Sequence, residues 1–93
     1  MILVASAPSF AKEVTVTISN FAFSPDKTTI AAGDTVKFVN ADDTVHSVVA
    51  KDGAFHSDGL DTGDSFSYTF AQAGTFDYYC GLHPFMTGEI IVN

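Results

Sequence analysis

Residues 63–80 read GDSFSYTFAQAGTFDYYC, and this stretch decides the fold. Phe66, Tyr68 and Phe70 alternate with Ser67 and Thr69, the period of two expected of a half-buried strand, and aromatic residues suit its pleated surface. Ala73-Gly74 turns the chain into Thr75–Tyr79, where Phe76, Tyr78 and Cys80 fall on one face. Two adjoining aromatic strands, in a chain with no useful run of helical spacing, predict an all-β domain.

The flanking segments carry the same pattern. Val14, Val16 and Ile18 alternate with Thr15 and Thr17; Thr28–Ala31 and Thr35–Asn40 are separated by the turn dipeptide Gly33-Asp34; His46–Ala50 reads as a further strand and Glu89–Val92 as the last. Lys51–Asp64 is rich in Gly and Asp and lacks periodicity, so it reads as a long connection with room for a short irregular helical turn. Seven or eight short strands with turns between them predict a two-sheet Greek-key β-sandwich.

Ninety-three residues suffice for one compact domain and one site. Hydrophobic residues at 46% and aromatics at 13% support a packed core rather than a disordered chain. Nine Asp and two Glu stand against four Lys and no Arg, for a net charge of −7. That charge excludes a surface that follows nucleic-acid phosphates, and it points to a protein partner with a basic face. The first eleven residues, MILVASAPSFA, are uncharged and end in a small-x-small pattern; residues 1–11 are expected to be a signal-peptide remnant and 12–93 the domain proper. The apolar run before Pro8 is too short for a transmembrane segment. A periplasmic or otherwise exported monomer is the expectation.

The chemistry lies just beyond residue 79, in Cys80-Gly81-Leu82-His83-Pro84-Phe85-Met86. A thiolate, an imidazole and a thioether recur at C-x2-H-x2-M, so three soft-to-borderline donors occupy seven residues. A chain leaving a strand and turning sharply can aim them at one ion, with Gly81 easing the bend and Pro84 limiting its freedom. A lone cysteine in an exported protein has no internal disulfide partner, which also calls for a role for Cys80. Two His, one Cys and a weak axial Met make a blue-copper set, so a second imidazole must come from elsewhere. His46 and His56 are the choices: His46 opens the apolar run Ser47–Ala50 and is preferred, whereas His56 lies in the Gly/Asp-rich connection.

At these residues the chain resembles the cupredoxins, nearest the amicyanin and bacterial plastocyanin-like branch, in the loop CGLHPFM-TG and in the approach to it from Gly63 to Cys80. The resemblance runs from about Lys12 to Asn93. It implies one type 1 copper ion, with His46 and His83 as imidazole ligands, Cys80 as thiolate and Met86 as axial thioether, and a role in single-electron transfer rather than catalysis. The electron is expected to leave through His83, whose loop neighbours Leu82, Pro84 and Phe85 would form an apolar patch for redox protein partners. Two positions depart from the amicyanin pattern. Ser47 stands where Asn is usual, which calls for a hydroxyl to replace a side-chain clamp, and Leu82 replaces a Pro, leaving a backbone N–H expected to reach the Cys80 sulfur.

Rival chemistries lack their parts. A thiol enzyme has no use for Met86 and no visible oxyanion site. A disulfide oxidoreductase needs Cys-x-x-Cys, a multicopper oxidase needs His-x-His pairs, and structural zinc seldom recruits a thioether. The remaining alternative is a copper-binding module that delivers or stores the metal without carrying electrons.

Overall fold

The computed structural model describes residues 11–93. The expected N-terminal leader, residues 1–11, lies outside them but for Ala11. Eight strands follow in order: β1 (Glu13–Ser19), β2 (Ala22–Ser24), β3 (Lys27–Ile30), β4 (Thr35–Asn40), β5 (Val49–Ala50), β6 (Ser65–Thr69), β7 (Gly74–Tyr79) and β8 (Thr87–Val92). They form two four-stranded sheets, ordered β2-β1-β4-β6 and β3-β8-β7-β5. β1 runs parallel to β4 and β3 parallel to β8, and the other pairs are antiparallel. The all-β sandwich expected from the alternation is therefore what forms, and no helix occurs among the described residues.

Alternation along each strand fills the space between the sheets. Val16 and Ile18 from β1, Val36 and Phe38 from β4, Tyr78 from β7 and Ile90 from β8 are fully buried. Phe38 lies at the centre, edge-on to Phe23 and Tyr78 and stacked on Phe66. Phe55, from the long connection, closes one side against Tyr68 and Phe70. Such aromatic pairs add to the burial of their large apolar area.

Three local expectations change. The strand expected over His46–Ala50 shrinks to Val49–Ala50, because the His46 amide and carbonyl bond Leu60 in the connection instead of extending the ladder. The connection from Lys51 to Asp64 holds no helical turn. It is a strap tied back to the preceding segment by Ala50 N–H to Phe55 C=O, Ser57 N–H to Val48 C=O and the His46–Leu60 pair. The third is β2, too short to show alternation, which pairs with β1 through a two-residue turn and buries Phe23.

Candidate metal centre

One end of the sandwich gathers three loops. The Cys80–Met86 loop joins β7 to β8 directly after their last pair, Tyr79 with Thr87. Backbone bonds hold it closed: Cys80 N–H to Met86 C=O at 3.0 Å, His83 N–H to Cys80 C=O at 3.2 Å and Met86 N–H to His83 C=O at 2.9 Å. Cys80 is completely buried, Met86 nearly so at 2% exposure, and His83 keeps one part in solvent.

His46 comes from the loop after β4. Asn40, buried at the end of that strand, organises the turn: its amide nitrogen donates to the carbonyls of Thr44 (2.8 Å) and Leu60 (2.7 Å), and its oxygen accepts from Asp42 N–H (2.9 Å). Both amide protons and the oxygen thus have local partners, as a buried amide requires. The turn delivers His46 to the interior with no exposed surface.

These loops bring His46 Nδ1, Cys80 Sγ and His83 Nδ1 together. The sulfur lies 3.6 Å from the first nitrogen and 3.7 Å from the second, and the ligand atoms of the three residues all fall within 4.8 Å of one another. The imidazole rings stand 5.0 Å apart. On the far side of His46, Nε2 meets Asp42 Oδ2 at 2.9 Å. The Phe21 amide above all, then the His46 ring and the Asn20 amide, hold the Asp42 carboxyl below its ordinary value against the opposing effect of burial. At that contact the carboxylate oxygen is placed to accept a proton held on Nε2, while Nδ1 faces the sulfur. Two imidazole nitrogens, a thiol sulfur and a buried thioether at the loop's end are the donor set of a soft or borderline ion, and the residues fit copper. His56 is exposed and stays outside this cluster.

The sulfur's other contact corrects an expectation. The backbone N–H that reaches Sγ is that of Ser47, at 3.3 Å, not that of Leu82. Ser47 also answers its departure from the usual Asn: its Oγ accepts from Gly81 N–H at 2.9 Å, so a hydroxyl ties the two ligand loops together. Ser47 comes close enough because position 81 has no side chain; a Cβ there would lie 2.8 Å from Ser47 Oγ.

Beside the half-exposed His83 stand the exposed hydrophobic side chains of Phe21, Phe85 and its chain neighbour Leu82. Phe21 meets the rings of His46 and His83 edge-on, with centroids at 5.3 and 5.2 Å, and Phe85 meets His83 at 6.1 Å. Sequence reading had included Leu82 and Phe85 in this rim but missed Phe21, Asn40 and Asp42, which act across the fold and leave no spacing signal.

Comparison with known proteins agrees with this geometry. The family model for a cupredoxin-like domain matches residues 1–92. Amicyanin of Paracoccus versutus is 37% identical over 95 residues, covering 97% of this chain and 72% of that protein. Among solved structures, an oxidised amicyanin variant superimposes with a TM-score of 0.82 at 28% identity, covering 86% of this chain and 81% of the other. A purple cupredoxin from Nitrosopumilus maritimus gives 0.80 at 29% identity, covering 86% of this chain and 99% of the other.

Proposed function

The chain belongs to the cupredoxin-like family, and from that premise we propose that it is a single-electron carrier holding one type 1 copper ion with His46, Cys80, His83 and Met86. The observation that carries this reading is the convergence of His46 Nδ1, His83 Nδ1 and Cys80 Sγ within 4.8 Å at one end of a rigid sandwich. Copper bound there supplies a one-electron couple between its two oxidation states.

The protein's part is to hold the donors still and keep water away. Cys80 and His46 are fixed by β7, by the Asn40 turn and by the Ser47 bonds, so the donor positions do not depend on the ion to assemble them. The Ser47 N–H directed at Sγ stabilises electron density on the sulfur and tunes the potential upward. Burial of Cys80 withholds its sulfur from any substrate, which supports a carrier over a thiol enzyme.

His83 reaches the surface inside an apolar rim of Phe21, Leu82 and Phe85, with Pro84 exposed beside it. This is the face for a redox partner. Small apolar contacts suit brief encounters that must release quickly. Asp43, Asp58 and Asp61 are exposed on the loops that follow β4 and β5, and the net charge of −7 favours a partner with basic residues around its own apolar patch. We place the working protein outside the cytoplasm, as a monomer. No helix among the described residues is long and apolar enough to cross a membrane.

The test is to add copper(II) to the purified protein and record visible absorption and electron paramagnetic resonance, with His46→Ala and Cys80→Ser alongside. An intense thiolate-to-copper band with narrow hyperfine splitting, lost in both variants, is expected. Voltammetry then separates carrier from delivery module: reversible cycling with copper retained supports electron transfer, and loss of metal on reduction overturns it.

A further inference from the structure

The turn between β1 and β2 is built against the preferences of its residues. Ser19 pairs with Ala22, so Asn20 and Phe21 are the two central residues of a tight hairpin, and both are left-handed, with φ of 53° and 56°. A two-residue turn of this hand favours Asn followed by Gly. Asn20 fits the rule; Phe21 does not, since a bulky side chain at positive φ is a steric outlier. Strain of this kind persists where surrounding contacts over-determine it, and it concentrates at functional sites.

The contact that over-determines this turn is Asp42. Its Oδ1 accepts from Asn20 N–H at 2.7 Å and its Oδ2 from Phe21 N–H at 3.0 Å, both more than twenty residues away in sequence. The same Oδ2 accepts from His46 Nε2 at 2.9 Å. The strained turn in turn lays the Phe21 ring edge-on against His46 and His83 together. One carboxylate thus touches the element that covers the site and one of the imidazoles that forms it.

We propose that Asp42 is the positioning residue of the metal centre, setting the Nε2–H tautomer of His46 and clamping the left-handed Asn20-Phe21 turn so that Phe21 closes over both imidazoles. The consequence for the metal rests on the copper reading above, but the positioning itself precedes any ion. With the proton held on Nε2, the Nδ1 lone pair stays directed at the Cys80 sulfur. With Phe21 clamped, the exposed side of the imidazole pair is bounded by an apolar ring instead of water. A carboxyl group presents two oxygens with several acceptor sites, which is why one residue can meet two turn amides and an imidazole at once.

Nuclear magnetic resonance on the full chain tests this, with ring-nitrogen correlations reporting the His46 tautomer and amide exchange reporting Asn20 and Phe21. Wild type, Asp42→Ala and Asp42→Asn are each measured before and after copper(I) is added. Before metal, wild type is expected to show His46 as the Nε2–H tautomer. Asp42→Ala should mix the tautomers and raise exchange at both amides by about tenfold or more, the scale of a lost charge-assisted bond. Asp42→Asn keeps the side chain's size but offers one acceptor oxygen, so it must lose part of the set even if the alanine variant fails to fold. A retained Nε2–H tautomer with wild-type exchange at both amides in Asp42→Asn would overturn the inference. Failure of copper(I) to shift the His46 and His83 ring signals would sink the copper reading instead, and leave the metal-free comparison standing.

Discussion

Ser47 and Cys80, thirty-three positions apart in sequence, are joined twice: the Ser47 N–H donates to Cys80 Sγ at 3.3 Å, and the Ser47 hydroxyl accepts from the amide of Gly81, the residue next to Cys80. The first bond acts on the sulfur and the second fixes the loop that carries it. Ser47→Ala separates them, since it keeps the backbone bond and removes the hydroxyl. It should cost about 1 kcal/mol in chemical denaturation, the usual net value of one hydrogen bond, while preserving the charge-transfer band. Abolition of the band would mean that the hydroxyl matters more to the sulfur than the amide does.

Tyr78 and Gly88 face each other across β7 and β8, and the Tyr78 ring occupies the place a side chain at 88 would need. A Cβ on Gly88 would collide with Tyr78 Cζ, so Gly88→Ala must displace a fully buried ring. A loss of about 1–3 kcal/mol or more is expected from overpacking, read as a lowered Tm.

The Tyr78 hydroxyl is buried without a partner among the described residues, and burial, with the Asp26 charge, pushes the phenol well above its usual range. Tyr78→Phe removes a polar group that gains nothing in the fold. Its Tm should be equal to or above that of wild type, since deleting an unsatisfied group relieves a desolvation cost. A clear fall in Tm would reveal a bond to the hydroxyl.

Asn40→Ala should destabilise the protein by about 2–3 kcal/mol, because it removes the side-chain bonds to the Thr44 and Leu60 carbonyls and to the Asp42 amide and loosens the turn that presents His46. Copper affinity measured by competition should fall with it, although Asn40 is not among the proposed ligands.

Asp34 accepts from the amides of Lys12 and Ala31, and these bonds, Lys12 first, hold its carboxyl below 3.8. A carboxylate depressed in the folded state contributes stability above its unfolded value, and that contribution disappears as pH falls through the folded one. Asp34→Asn should therefore be less stable than wild type at neutral pH, with the gap narrowing as pH drops through and below about 4, as denaturation curves across pH would record.

The sandwich was legible because its cause is local. The alternation in β1, β4, β6 and β7 records which side of each strand meets the core, and a period of two survives without knowledge of any partner. The Cys80–Met86 loop was legible for the same reason, since its donors lie within seven residues. β2 was missed because three residues cannot display a period, and His46–Ala50 was read as too long a strand because the bonds that displace its first residues come from Leu60. The N–H expected from Leu82 failed for a similar reason: the donor to the sulfur arrives from another loop, where local sequence offers no sign of it.

By itself, then, the sequence determined an all-β domain, an acidic surface and one short loop carrying thiol, imidazole and thioether. Only the tertiary structure decided which imidazole faces Cys80, which amide reaches its sulfur, and that Asp42 and Phe21 belong to the site at all. Spacing along the chain encodes strand faces and tight loops, because those are set by neighbouring residues. A buried centre assembled from three loops is set by how two sheets pack, and the residues that complete it are close in space only after that packing is done.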